Sequence, residues 1–175
     1  MCSIENCQLE SYENGKCILH CEKDDWYIEI DSEKNWDNSK INKFWIEFNK
    51  NNKGGKLREI HFPKCENILS HVKSEKEIFK YFFTECKFYD TISFNEYFPR
   101  NIFYFDNCSF NGDISFFKNI KCEFFFYDYC NFNNNSFYGN ASIIDNDFSI
   151  FSCKNIKSIN FNNIKIEGSF YIENA

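Results

Sequence analysis

The sequence predicts an all-β solenoid, and three observations carry that expectation. The triplets Cys86-Lys87-Phe88, Cys108-Ser109-Phe110 and Cys130-Asn131-Phe132 recur at a fixed offset of 22 residues, the signature of stacked repeats. Apolar positions inside one period fall every four to six residues, as in Phe105, Phe110, Phe116, Ile120 and Phe124. That spacing fits neither a 3.6-residue helical period nor long alternating strands; four such steps close a square. The composition agrees. Phe supplies 23 of 175 residues, while Val appears once and Ala twice, which disfavours a helical bundle and suits pleated surfaces.

The chain divides by texture into residues 1–36, a Cys/His segment and linker; residues 37–56, a helix; and residues 57–175, the repeats. The length suits one domain, or one domain with a small appendage. The formal charge of -6 argues against binding a nucleic-acid backbone. No run of 18 apolar residues is present, so no membrane-spanning helix is expected. The start, Met-Cys-Ser-Ile-Glu-Asn, has neither the basic region nor the apolar stretch of a signal peptide, so a cytoplasmic location is expected.

In the first segment Cys2, Cys7, Cys17 and His20 form the pattern C-x4-C-x9-C-x2-H. Zinc takes four nitrogen or sulfur ligands in a tetrahedron, commonly as two close pairs on turns. Cys17 and His20 are spaced to meet on one turn. Glu13-Asn14-Gly15-Lys16 reads as the reversal that brings the pairs together. Cys21 is the alternative fourth ligand. Disulfides are the competing reading, disfavoured where thiols stay reduced. The zinc would be structural, because four protein ligands leave no position for water.

Residues 37–50 read as a helix, with Ile41, Phe44, Trp45 and Phe48 on one apolar face. Ser39 or Asp37 can cap its start and Asn51-Asn52-Lys53-Gly54-Gly55 ends it. Such a helix suits the cap that a solenoid needs over its first coil. Leu57–Phe62 reads as a strand, and Ile60, 22 residues before Phe82, as the start of a first coil. Ser74-Glu75-Lys76-Glu77 resembles a capping box; Ile78–Phe83 is open between helix and strand.

Further columns run through the repeats. Phe82-Phe83 aligns with Tyr104-Phe105, Phe126-Tyr127 and Ile150-Phe151. Phe88, Phe110 and Phe132 continue to Ile156. Phe94, Phe116, Phe137 and Phe161 form a third column, and Ile102, Phe124, Phe148 and Phe170 a fourth. Their shared shift by two reads as one insertion between Phe137 and Phe148. Asn and Asp fill the corners, as in Phe110-Asn111-Gly112-Asp113 and Phe132-Asn133-Asn134-Asn135, because both tolerate left-handed backbone.

Over roughly residues 82–175 these units resemble the pentapeptide-repeat family. The family's unit has a large apolar centre, a small residue two places before it and a polar residue between, the order seen in Cys108-Ser109-Phe110 and Cys130-Asn131-Phe132. The resemblance implies a right-handed quadrilateral β-helix. The N-terminal pattern is similar to zinc knuckles that precede the solenoid in some bacterial members. Two functions follow as expectations. The first is a non-catalytic scaffold that presents flat faces to a protein partner. The alternative is an acidic DNA mimic that binds a type II topoisomerase or another DNA-binding protein.

No enzyme is expected. His61 and His71 stand in no motif with a nucleophile, and no glycine-rich phosphate loop occurs. Asp24-Asp25 and Asp145-Asn146-Asp147 read as solvated acids. Cys86, Cys108 and Cys130 read as small buried core residues; Cys65, Cys122 and Cys153 have no assigned place. The run Ser169–Ala175 stops in mid-coil, which suggests either a piece of a longer solenoid or an end-to-end homodimer.

Overall fold

Runs such as Asn-Ile-Phe-Tyr-Phe-Asp put every second side chain on one face. In the computed structural model that face is buried along the whole of strand Asn101–Asp106, as expected for a half-buried strand. The structure describes residues 1–51, 55–65, 79–94, 101–117, 122–140, 143–144, 147–162 and 164–174. The Phe-rich part is a parallel β-solenoid of about four turns, and among the described residues a single helix precedes it. Ser74–Glu77, His71, Gly54 and Asp145 lie outside the described residues.

The elements in chain order are β1 (Tyr27–Ile30), β2 (Glu33–Trp36), α1 (Asn38–Asn51), β3 (Lys56–Arg58), β4 (His61–Phe62), β5 (Phe79–Thr84), β6 (Lys87–Phe88), β7 (Ile92–Phe94), β8 (Asn101–Asp106) and β9 (Ser109–Phe110). Then come β10 (Ile114–Phe117), β11 (Cys122–Tyr127), β12 (Asn131–Asn140), β13 (Ile143–Ile144), β14 (Phe148–Phe151), β15 (Lys154–Asn162), β16 (Lys165–Ile166) and β17 (Phe170–Glu173). One side of the solenoid is the six-stranded sheet β3-β5-β8-β11-β14-β17. The next side stacks β4, β6, β9 and the start of β12. The third stacks β7, β10, the end of β12 and β15. A fourth strand position is described for β13 and β16. Ile78–Phe83, left open by the sequence, is strand from Phe79 onward.

The core is a set of ring stacks along the axis. Phe62, Phe88, Phe110 and Phe132 stack at centroid distances of 4.8, 5.0 and 4.9 Å, the spacing of neighbouring strands. Phe83, Phe105 and Phe126 form a second stack, 4.8 Å apart at each step. Tyr81, Phe103 and Phe124 form a third.

Several column assignments need correction. Phe105 pairs with Phe126, and Phe103 with Phe124, so this step is 21 residues and not 22. Tyr104 therefore aligns with Phe125, and Ile102 with Glu123 rather than Phe124. Phe137 aligns with Ile114, and Gly139 takes the place of Phe116. Ile164 fills the space that a ring would occupy there: a Cβ on Gly139 would lie 1.8 Å from its Cδ1. Ile156 pairs with Asn135 across a bulge, not with Phe132. The first coil begins with β3 and β4, but Leu57 pairs with Phe83 and Phe62 with Phe88, a step of 26. Phe82 faces outward and aligns with Lys56, not Ile60.

The cause lies in the corners. A left-handed residue stands before each small core position: Glu59, Glu85, Asn107, Tyr129 and Ser152 have φ of 54, 55, 50, 69 and 50°. The corner after β11 holds one extra such residue, Asp128, with φ 37°. Asn133 and Asn134, with φ 47 and 63°, lengthen the next corner. Single-residue changes at successive corners, not one insertion of two, shift the register. The corner at Gly112 is tight: a Cβ there would lie 2.2 Å from the Thr91 nitrogen.

Cys153 does belong to the small-residue column. Cys86, Cys108, Cys130 and Cys153 are all buried. Their thiols meet the carbonyls of Leu57, Phe83, Phe105 and Phe126 in the preceding coil at 3.4, 3.3, 3.4 and 3.6 Å. Ile60 holds this place in the first coil, where its carbonyl accepts from Lys87 as that of Cys86 does from Ser109. Cys65 bridges to Ile92.

Helix α1 covers the first coil. Ile41, Phe44, Trp45 and Phe48 are buried. The rings of Phe44, Trp45 and Phe48 lie 5.9, 6.1 and 5.5 Å from that of Phe62. Asp37 is the cap: its Oδ1 accepts from the Ser39 and Lys40 amides at 2.9 and 3.3 Å. The stretch expected as a linker holds the antiparallel hairpin β1–β2, turning on Asp31 and Ser32 with φ 51 and 64°. Trp36 of this hairpin donates from Nε1 to Asp90 at 2.7 Å.

Candidate metal centre

Two turns build the site. The His20 amide donates to the Cys17 carbonyl at 3.0 Å, which folds Cys17 and His20 onto one turn. The Cys7 amide donates to the Ile4 carbonyl at 3.1 Å, which turns the chain between Cys2 and Cys7. The reversal at Glu13–Lys16 pairs those two residues; Asn14 and Gly15 have φ 48 and 76°, as that tight turn requires. Bonds from Cys2 to the Leu9 carbonyl and from Ser3 to that of Gly15, 2.8 and 2.7 Å, close the loop.

The ligand atoms of Cys2, Cys7, Cys17 and His20 then all lie within 4.8 Å of one another. His20 Nδ1 is 3.2 Å from Cys17 Sγ and 3.4 Å from Cys2 Sγ. Cys7 Sγ is 3.7 Å from Cys17 Sγ. A tetrahedral ion with bonds of about 2.3 Å to sulfur and 2.0–2.1 Å to nitrogen sets donor separations of roughly 3.5–3.8 Å. The four residues fit such an ion and can hold one. Supporting contacts are also in place. The Cys17 amide donates to Cys2 Sγ at 3.2 Å, and a backbone hydrogen bond at Arg58 engages the His20 ring.

Without an ion these groups compete. Burial raises the Cys17 thiol to about 12, and it raises Cys7 as well. For Cys2 burial also acts upward, but backbone hydrogen bonds at Ile4 and Cys17 outweigh it and leave the thiol below its ordinary value. Burial, with the Lys23 charge, lowers the His20 ring, favouring the neutral form that ligates metals. Cys7 is the half-buried member, beside a groove of about 630 Å³ that also touches His20.

Cys21 stands apart from the cluster. Its Sγ lies 3.7 Å from the Ile18 carbonyl and 3.3 Å from Lys23 Nζ. Lys23 is fully buried. Its ammonium donates to the carbonyls of Ile18 and Cys21 at 3.0 and 2.6 Å and sits 4.3 Å from the Trp26 ring centroid. The sequence did not reveal this buried cation; Trp26, three residues on, was the only signal.

The segment is tied to the solenoid. The His61 amide donates to the Leu19 carbonyl at 2.9 Å. Glu22 accepts from Tyr89 Oη, and from Lys87 Nζ at 3.0 Å. It also lies 3.4 Å from His61 Nδ1. His61 is thus a packing residue at this junction. Comparison with protein-family models, with curated proteins and with solved structures gives no match.

Proposed function

We propose that this chain is a non-catalytic scaffold: a solid-cored β-solenoid that presents its faces to a protein partner, stiffened at its N-terminal end by one structural zinc ion. Cys2, Cys7, Cys17 and His20 are the ligands, with Cys21 serving Lys23 instead. The observation that carries the reading is the convergence of four protein donors on one point of a segment bonded to the first coils. Four protein ligands fill a tetrahedron and leave no place for a reacting water. Ring stacks fill the solenoid axis, so its useful chemistry lies on its outer faces. The repeat order Cys-x-Phe supports assignment to the pentapeptide-repeat type. A zinc–thiolate set of this kind suits a reducing compartment such as the cytoplasm, where thiols stay reduced. No described helix is long and apolar enough to cross a membrane.

The DNA-mimic alternative draws on one corner. Asp106 is held above its ordinary value by burial and by the charges of Asp128 and Glu85, which marks a short column of carboxylates. Arg58 lies 3.6 Å from Glu85 and offsets part of it.

Crosslinking in the native cell, followed by intact-mass analysis, tests the scaffold reading. A partner recovered at fixed stoichiometry with unchanged mass supports it. Turnover of a substrate by the purified chain contradicts it. Competition for that partner by duplex DNA would favour the mimic.

A further inference from the structure

The six-stranded side of the solenoid carries rings on its outer face as well as its inner one. Phe82, Tyr104 and Phe125 stack at 4.8 and 4.9 Å with interplanar angles of 4 and 11°. The ladder then steps sideways. Phe125 lies 5.8 Å from Tyr127, Tyr127 6.3 Å from Phe151, and Phe151 5.5 Å from Tyr171. Six rings from five successive strands thus form one continuous outer stripe. Phe82 is 39% exposed and Tyr171 45%; the rings between are half-buried.

Carboxylates flank the stripe. The outward positions of β8, β11, β14 and β17 include Asp106, Glu123 and Glu173, and these four strands contain no lysine or arginine. Burial, and after it the charge of Glu123, raises the Tyr104 hydroxyl; burial, then Tyr104, Asp128 and Asp147, raises that of Tyr127. Among the described residues the cations on this face are Lys56, which pairs with Phe82, Lys80, two residues before that ring, and Arg58, all at its N-terminal end. A second copy laid parallel would set acid against acid, whereas an antiparallel copy would bring the cations of one end to the carboxylates of the other, so dimerisation is one outcome of the test below. The complement is a segment whose cations reach outward to the carboxylates while its hydrocarbon lies on ring edges, as arginine and lysine stems do.

We propose that this stripe is a docking surface for an extended, arginine- or lysine-rich segment of a protein partner in which basic and apolar residues alternate. The proposal rests on the scaffold reading and names the chemistry of its partner. The apolar side chains and basic stems cover the ring ladder. The cationic heads pair with Asp106, Glu123 and Glu173. Affinity therefore falls as salt rises.

Fluorescence anisotropy with the full, metal-loaded chain tests this. The probe is an eight-residue peptide of alternating arginine and leucine, with a glutamate–leucine peptide of the same length as counterpart. The basic peptide should saturate the chain at low salt. Tyr104→Ser with Phe125→Ser should weaken binding at least tenfold, whereas Glu29→Gln on the distant hairpin should leave it unchanged. If the ring variant does not fold, Asp106→Asn with Glu123→Gln decides, and it should lose both affinity and salt dependence. Equal binding by wild type and these variants overturns the proposal. So does equal binding of the acidic peptide, or a dimer that dissolves in the ring variant without any peptide binding. A chain that ignores the basic peptide yet still captures an unmodified partner overturns the docking assignment and leaves the scaffold reading standing.

Discussion

Phe110 and Phe132 stack at 4.9 Å with their planes 7° apart. They are successive members of a column running from Phe62, under the helix, to the middle of the solenoid. Both are buried, and each also touches Phe126 edge-on. Phe110→Ala should cost about 3–5 kcal/mol, the range for removing a large core ring. Lys154→Gln, at an exposed position, should stay within about 0.5 kcal/mol. Denaturant titration of the two variants measures the contrast, and equal losses would contradict the axial placement.

Gly112 marks where two coils approach by backbone. A Cβ there would meet the Thr91 nitrogen and the Asp90 carbonyl carbon at 2.2 and 2.3 Å. No flexible side chain can yield, so the coils themselves must separate. Gly112→Ala should destabilise by about 1–3 kcal/mol, as overpacking does. A variant with unchanged denaturant midpoint would show that this corner is looser than described.

The buried thiols give a chemical test. Burial raises Cys108 well above its ordinary value. Neighbouring thiols, and burial with them, raise Cys130 and Cys153. The thiolate is the reactive form. In the folded, chelator-treated chain, iodoacetamide should modify Cys7 first and leave Cys108, Cys130 and Cys153 untouched, as peptide mass mapping would show. Rapid native-state labelling of Cys108 would be inconsistent with the column.

Acid should weaken the junction in two stages. Burial lowers His61 to about 4, although Glu22 opposes this. Between about 6.5 and 4 the unfolded chain binds the proton and the folded chain does not, so stability falls as pH falls. Glu22 is held at about 2: burial opposes this, but Tyr89, Lys87 and His61 outweigh it. Its contribution is present above about 4.5 and is lost as pH falls toward 2. His61→Gln should flatten the first stage and reduce the second without abolishing it, because Tyr89 and Lys87 still hold Glu22. Denaturant unfolding at pH 7, 5 and 3 separates them; parallel curves for both proteins would refute the assignment.

The solenoid was legible because Cys-x-Phe repeats in sequence become stacked side chains in space. The inner face was readable wherever corners kept one length, as between Phe88 and Phe110. β11 itself was misread because the corner after it, where Asp128 and Tyr129 both take left-handed backbone, is one residue longer than the others, and a one-residue slip exchanges inside for outside. Phe125 and Phe126 look alike in sequence; only the length of that corner decides which faces the axis. Cys153 was missed for the same reason. The Cys2, Cys7, Cys17 and His20 cluster was legible because its turns are local. Hairpin β1–β2 was overlooked because Tyr27–Trp36 shows no regular alternation and its turn, Asp31-Ser32, is a signal weaker than one containing glycine.

The central claim is a tetrahedral ion held at the head of a solid-cored solenoid. Zinc X-ray absorption on protein purified without added chelator, with total metal measured on the same sample, tests it most directly. The account predicts about one zinc per chain with three sulfur neighbours near 2.3 Å and one nitrogen near 2.0 Å. Cys17→Ser should abolish that signal, while circular dichroism shows the solenoid strands intact. A shell of four sulfurs would put Cys21 in place of His20. Protein that holds no metal and takes up none when zinc is supplied, or a Cys17→Ser variant that keeps its zinc, would contradict the claim.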